Sequence, residues 1–239
     1  MDIYNLPIYA IKETIGKPEL FAGRSKELNF LLKWANDIKE EKSGSIALLG
    51  IKKIGKTAIL ERLYNILYAK QGNIIPFFYK IEAKKKWLPY FAKDLFKTYI
   101  SQYLFFNLGK SEYSKFILTI KKEKEICKHQ KCNKLLRVIE DFEEIFASKE
   151  SDLIWSFVQK FPHRFASLTG QYFVQIIDEF QYINNKICRD KECTDVINDL
   201  AASYLHFSES KVAPLLVSGS YIGWLKGILN LQLPGRFYI

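Results

Sequence analysis

No apolar run in the 239-residue sequence approaches the ~20 residues a helix needs to cross a bilayer, so no membrane association is expected. The amino terminus, MDIYNLPIYAIKETIGK, breaks up its apolar residues with Asp, Pro, Lys and Glu and is no secretory signal. A cytoplasmic location is the expectation. No internal repeat and no low-complexity linker are present, which argues against solenoids and flexible tandem arrays. Histidine is scarce: His129, His163 and His206 stand singly without evident partners, and each is best explained as a surface or core residue. Cysteine is limited to four residues. They form two C-x4-C pairs, Cys127 with Cys132 in CKHQKC and Cys188 with Cys193 in CRDKEC, both flanked by charge and expected in loops. Such pairs fit a four-thiolate zinc site if they meet in space. Disulfides, rare in cytosol outside hyperthermophiles, and free thiols are the alternatives.

A hydrophobic fraction of 48% and an aromatic fraction of 15% suit a globular core. The length allows one large domain or two small ones. The net charge of +10 is unevenly placed: residues 1–134 carry 26 Lys and Arg against 13 Asp and Glu, and residues 135–239 carry 10 against 13. The local clusters are KIEAKKKW (80–87) and KKEKEICKHQKCNK (121–134). A basic half can attract nucleic acid. The clusters lack Arg and interleaved aromatic platforms, which favours a Lys-rich solvated surface.

The strongest local signal is GIKKIGKT (50–57), between the apolar run SIALL and the helix-like AILERLYNILY. It fits G-x-x-x-x-G-K-[ST], the loop whose backbone N–H groups cradle phosphates at a helix N-terminus. Gly50, Ile51, Lys52, Lys53, Ile54, Gly55, Lys56, Thr57 and Ala58 are therefore the expected nucleotide-binding segment. Lys56 would reach the β- and γ-phosphates, and the Thr57 hydroxyl would ligate Mg²⁺. After the loop, Ile59, Leu60, Leu63, Ile66 and Leu67 form one apolar stripe at helical spacing.

Elsewhere along the chain, SKELNFLLKWANDIKEEK (25–42) reads as a helix with Leu28, Leu31, Leu32, Ala35 and Ile38 on one face and Ser25 as its cap. Gly72 is the expected left-handed stop of the loop helix. IIPFFYKIE (74–82) reads as a strand, and Pro76 within it argues for a sheet edge. From Trp87 to about Phe165 the pattern is helical, notably FAKDLFKTYISQYLFF and NKLLRVIEDFEEIFA. YFVQIID (172–178) reads as a buried strand, 195–209 as helix, APLLVSG (213–219) as strand and YIGWLKGIL as helix. Alternating strands and helices imply a mostly parallel sheet covered on both faces. The expectation is an α/β phosphate-loop nucleotide-hydrolase fold, with a helical insertion near 87–165 before the acidic strand.

FVQIIDEF places Asp178 and Glu179 at the carboxyl end of that strand, where open α/β sheets bind ligands. Asp178 would hold Mg²⁺ opposite Thr57, and Glu179 would orient and deprotonate the attacking water. The function expected is a Mg²⁺-dependent ATPase whose hydrolysis drives a partner or attached domain. The alternative is a slow nucleotide-dependent switch or scaffold in signalling or defence, with nucleic acid as one candidate partner. A metabolic kinase is disfavoured, since no acceptor pocket is identifiable.

The segments FAGRSKEL (21–28), LLGIKKIGKTAIL (48–60), QIIDEFQYIN (175–184), LLVSGSYIGWL (215–225) and LPGRF (233–237) occur in an order that resembles the archaeal-type ATPase family, among the signal-transduction ATPases related to AAA+ proteins. The resemblance spans almost the whole chain. It implies one AAA+-like core over residues 1–239, ATP and Mg²⁺ as ligands, and the GR…EL element, with Arg24, bordering the adenine side. It makes Ser218 or Ser220 a γ-phosphate sensor, and makes Arg236 resemble an arginine finger entering a neighbouring subunit of a homo-oligomer. Such cores are usually followed by a small helical lid and often by an output domain. Here the sequence stops at Ile239, so a fragment, or absence of lid and output domain, is expected.

Overall fold

The computed structural model describes residues 6–16, 20–109 and 118–238. Strand β1 (Ser45–Leu49) lies in a five-stranded sheet with β2 (Ile74–Lys80), β4 (Tyr172–Asp178), β6 (Leu215–Gly219) and β7 (Phe237–Tyr238), in the order β2-β4-β6-β1-β7. Every pairing in it is parallel. A second, two-stranded parallel ribbon joins β3 (Lys86–Trp87) to β5 (Ile187–Cys188). Parallel pairs need long crossovers. Helix α1 (Ser25–Asp37) precedes β1 and α2 (Lys56–Lys70) follows it. Helices α3 (Leu88–Leu108), α4 (Ile120–His129), α5 (Asn133–Ser148) and α6 (Ser151–Thr169) lie between β2 and β4, and α7 (Ile222–Leu231) lies between β6 and β7. The chain passes from β4 to β6 through β5 and short 3-10 turns. Residues 110–117, within the expected helical stretch, lie outside the described residues. No helix among the described residues is long and apolar enough to cross a membrane.

Both sheet faces are covered, and neighbouring residues of β2 show how. Phe77 packs on Tyr99 of α3 (4.8 Å between ring centroids) and on Phe173 of β4 (5.1 Å), whereas Phe78 meets Tyr64 of α2 (6.2 Å). Successive side chains point to opposite faces of a strand, so α2 lies on one face and the α3–α6 layer on the other. In that layer Phe96 of α3 stacks on Phe142 of α5 at 4.0 Å and meets Phe161 of α6 at 5.5 Å.

Pro76 sits on an edge strand as its missing N–H requires. Two residues on, Phe78 uses both backbone groups toward Gln102 of α3: its N–H donates to Oε1 and its carbonyl accepts from Nε2, each at 2.8 Å. Alternation puts Pro76 on the same outer side, so this edge lacks one donor at Pro76 and has both Phe78 groups already engaged, which limits pairing with another chain.

Several local expectations are corrected. Ser25 does not cap α1: Arg24, with φ 57°, is the capping residue and makes no side-chain cap bond. Gln71, not Gly72, is the left-handed residue ending α2, with φ 47°, and its side chain donates to the Tyr68 carbonyl. Residues 195–209 form short 3-10 turns, Leu200–Tyr204 and Phe207–Glu209, instead of an α-helix. Helix α2 is buried on all sides and not along one stripe. The reason lies in the amino-terminal segment, which covers its outer face. Glu13 forms a fully buried ion pair with Arg62 at 2.8 Å, the Ile11 N–H donates to Asn65 Oδ1, and Thr14 donates to Glu61 Oε2 through both its N–H and its hydroxyl.

The helical layer contains one buried carboxyl with incomplete partners. Glu123 on α4 accepts from the Ser101 hydroxyl at 2.9 Å through Oε1, while Oε2 has no hydrogen-bond partner among the described residues. Burial pushes its pKa from about 4.5 to about 8, opposed by the Ser101 bond and by Lys97. Because the folded pKa lies above the ordinary one, the stability this group contributes is full below about pH 4.5 and is lost as pH rises through about 8. Glu123→Gln keeps the shape without the titration. Wild-type melting temperature should fall between pH 5 and pH 8.5 by several degrees more than that of Glu123→Gln, at roughly 2–4 °C per kcal/mol for a chain of this size. Parallel pH profiles in thermal unfolding would exclude the titration of Glu123.

Candidate nucleotide-binding site

The chain leaves β1 at Leu49 and turns through Gly50–Gly55 into α2. Two residues of the turn are left-handed, Lys53 with φ 64° and Gly55 with φ 91°, the conformation that lets successive N–H groups converge on an anion. Gly55 caps α2, so the unpaired first-turn N–H groups and the helix dipole face the loop. A Cβ at position 50 would lie 3.1 Å from Ile54 Cγ2 and 3.6 Å from Lys56 Cδ, and glycine there avoids that crowding. Lys56 is 8% exposed, and its Nζ donates to the carbonyls of Gly50 at 2.6 Å and Ile51 at 2.9 Å. Burial lowers its pKa, and the carboxylates of Glu179 and Asp178 act in the opposite sense. The ammonium is thus folded back over the loop, among carbonyls that an incoming phosphate can replace.

Asp178 is fully buried. The Thr57 hydroxyl donates to its Oδ2 at 2.8 Å, across 121 residues of sequence. Its Oδ1 accepts from the Glu179 N–H at 3.0 Å and from the Ser218 hydroxyl. Lys80, in register with Asp178 on the neighbouring strand, places Nζ 3.7 Å from Oδ2. A hydroxyl and a carboxylate oxygen at this spacing are hard donors of the kind Mg²⁺ takes, few in number and leaving room for water and phosphate oxygens.

Glu179 begins the turn after β4 in a left-handed conformation, φ 57°, which is uncommon for a non-glycine residue. Its Oε2 accepts from the Ser220 hydroxyl at 2.8 Å and from Gln181 Nε2. Gln181 is buried, and its Oε1 lacks a partner among the described residues. A Cβ at position 219 would run into Gln181 Oε1 and Leu225 Cδ2, so glycine between the two serines lets the glutamine pass. At the rim, Arg24 donates to the Ile54 carbonyl at 3.0 Å and pairs with Glu27 at 2.7 Å. Lys52 donates to the Tyr221 hydroxyl at 3.0 Å and lies 4.7 Å from that ring's centroid. This bond lowers the Tyr221 pKa and raises that of Lys52. Over the loop opens a cleft of about 330 Å³, lined among others by Thr14, Ile15, Lys52, Thr57 and Glu179. A larger cleft of about 530 Å³ lies on the α5–α6 layer, lined by apolar Val138, Phe157, Phe161 and Leu168 and by polar Asp141, His163, Arg164 and Ser167.

The structure therefore brings Lys56, Thr57, Asp178, Glu179, Ser218 and Ser220 together, with Arg24 at the rim. Arg236 is not among them. It precedes Phe237, which pairs with Ser45 at the start of β1, while the phosphate loop leaves from the end of β1. Five residues of strand, roughly 16 Å at 3.3 Å each, separate the two ends. In its own chain Arg236 pairs with Glu209.

The cysteines also part ways with the zinc expectation. Cys127 lies in α4 and Cys132 caps α5, whereas Cys188 lies in β5. All four are free thiols. Among the described residues, no three His, Cys, Asp or Glu side chains converge to hold a metal, so the pairs do not form a shared four-thiolate site. The two basic clusters are partly neutralised by local partners: Lys86 with Asp94, Lys122 with Glu125 and Lys124 with Glu143.

Sequence reasoning missed Gln181, Tyr221, Thr14, Ile15 and Lys80. For Gln181 a signal existed in the glycine of VSGS, facing DEFQ across the strands. The others carry no local mark, because only strand register and the path of the amino-terminal segment bring them to the site.

No family model and no curated protein matches the sequence. Among solved structures the chain is similar to the Walker-type ATPase PABY2304 of Pyrococcus abyssi, with a TM-score of 0.56 and 18% identity, over 98% of this chain and 55% of that one. It thus spans little more than half the length of that protein, and what the two share is the fold.

Proposed function

We propose that the chain binds ATP with Mg²⁺ at Gly50–Thr57 and hydrolyses it, as an AAA+-like core whose cycle drives change in a partner or attached domain. The single observation that carries this reading is the 2.8 Å contact between Thr57 and Asp178, which joins a phosphate-cradling turn to an acidic strand end. The likeness to a Walker-type ATPase agrees with it.

Loop N–H groups and Lys56 would bind the phosphates, the ammonium exchanging the carbonyls of Gly50 and Ile51 for phosphate oxygens. Thr57 and Asp178 would hold Mg²⁺, which when bound neutralises charge on the β- and γ-phosphates. Glu179 would accept a proton from the attacking water, its carboxylate aimed by Ser220 and Gln181. Ser218 and Ser220 already bond the two carboxylates, so sensing of the γ-phosphate would pass through those contacts. Arg24 would border the base or ribose side of the nucleotide. Arg236, remote from the loop of its own chain, is suited to act on a neighbouring copy's nucleotide and not in cis.

One observation favours the second reading, a slow switch. With Glu179 engaged by Ser220 and Gln181, and Arg236 paired with Glu209, an isolated chain lacks a released base and a finger. Basal turnover is then slow and rises on assembly.

Lys56→Ala should remove most ATP affinity in calorimetry; unchanged affinity would sink the phosphate-loop reading. Glu179→Gln keeps the geometry and removes the base, so it should bind ATP normally and turn over ~10²–10⁴-fold more slowly. Intact hydrolysis would place the base elsewhere. Mixing Arg236→Ala chains, which keep an intact pocket, with Lys56→Ala chains, which keep the finger, should restore turnover that neither has alone, provided both are folded and associate. No recovery would remove the trans role of Arg236.

A further inference from the structure

Lys80 is the last residue of β2 and stands beside Asp178 in strand register. Its Nζ lies 3.7 Å from Asp178 Oδ2, the oxygen that also accepts the Thr57 hydroxyl. The two side chains differ sharply in exposure: Asp178 is 0% exposed and Lys80 49%. A carboxylate without solvent needs a counter-charge, because hydrogen bonds alone compensate only part of its lost hydration. Thr57, Ser218 and the Glu179 N–H give Asp178 three donors but no charge. The buried ammonium of Lys56 is bound to the carbonyls of Gly50 and Ile51. Among the described residues, Lys80 is the cation within ion-pair distance of Asp178.

That ammonium therefore stands where a divalent cation on Thr57 and Asp178 would exert its own charge. Two cations cannot share one carboxylate oxygen at this distance without strong repulsion. Half-exposed and on a flexible four-carbon stem, Lys80 can move. Another carboxyl that could receive it is Glu61 on α2, whose pKa is raised by burial and lowered in part by the Thr14 bonds and the charge of Lys80. Glu61 Oε2 holds Thr14 through its N–H at 2.7 Å and its hydroxyl at 2.9 Å, and Thr14 lines the cleft above the phosphate loop.

We propose that Lys80 is a resident counter-ion that holds the place of the divalent cation at Asp178 and competes with it, so that metal loading displaces the ammonium toward Glu61. This rests on the nucleotide-site reading and adds to it a residue that sets metal affinity without touching phosphate. Lys80 is a positioning residue in this scheme, acting through Asp178. The metal-free protein stays intact because the buried carboxylate is never left uncompensated, and the metal binds more weakly than Thr57 and Asp178 alone would allow.

The test compares ADP affinity by calorimetry in excess EDTA and in excess Mg²⁺, for wild type, Lys80→Met and Lys80→Arg, together with melting temperatures of the nucleotide-free proteins. Lys80→Met should leave the EDTA affinity unchanged and enlarge the Mg²⁺-dependent gain about tenfold or more. Its nucleotide-free melting temperature should fall and recover on adding Mg²⁺ alone. Lys80→Arg should keep the wild-type ratio. An unchanged ratio in Lys80→Met would make Lys80 a surface bystander and overturn the proposal. Weaker ADP binding in both EDTA and Mg²⁺ would make it a phosphate ligand, which also overturns it. Should Lys80→Met be insoluble, Lys80→Gln serves with the same expectations. A wild type that binds no ADP in either condition overturns the nucleotide-site reading and this one with it. A wild type that binds, with the ratio unmoved by the substitution, overturns this one alone.

Discussion

The architecture depends on one buried charge. Asp178 sits without solvent at the carboxyl end of β4, where an isolated carboxylate would be strongly disfavoured. It is tolerated because four separate segments converge on it. Helix α2 brings Thr57, β6 brings Ser218, β2 brings Lys80, and the turn after β4 brings the Glu179 N–H. Lys80 and Ser218 arrive through parallel pairing, since β4 lies between β2 and β6. Thr57 arrives on the helix that follows β1, and Glu179 is next in the chain. Parallel strands end on the same edge of the sheet, and their carboxyl ends therefore gather the polar residues that α/β sheets use for ligands.

Helix α2 is the second element on which the site depends, and it is held from both sides. The sheet packs against one face, and the segment of residues 6–16 covers the other through Glu13–Arg62, Asn65–Ile11 and Glu61–Thr14. Removing either partner of a buried ion pair typically costs about 3–5 kcal/mol, so Glu13 and Arg62 fix the amino-terminal segment to the helix that presents the loop. Arg62 also lies 4.6 Å from the Phe21 ring centroid, which ties in the stretch leading to Arg24. The rim of the cleft and the floor of the site thus share one support.

The aromatic layer of α3–α6 contributes differently. It leaves the carboxyl edge free and covers the sheet face opposite α2, where ring contacts run from Tyr99 to Phe77, Phe173 and Phe165 in turn. Gln102 from this layer also closes the outer edge of β2. The sheet is therefore protected on a face and an edge by the same helices.

Much of this was legible because it is local. GIKKIGKT curls within its own residues, through left-handed Lys53 and Gly55, and the following helix supplies free N–H groups. SIALL and YFVQIID read as buried strands because they are short and mostly apolar, and their ends coincide with β1 and β4. Pro76 announced an edge because a proline lacks the donor that an inner strand must use. Where local signals competed with packing, they failed: Gln71 and not Gly72 ends α2, Ser25 does not cap α1, and 195–209 forms 3-10 turns. Tertiary structure alone decided the pairings between distant residues. Strand register sets Lys80 against Asp178 and Arg236 at the far end of β1, and the two cysteine pairs fall on different elements, Cys127 in α4 and Cys188 in β5. The sequence determined which backbone could hold a phosphate. Which charges surround that turn depended on strand order and register, because contacts between distant residues leave no periodicity to read.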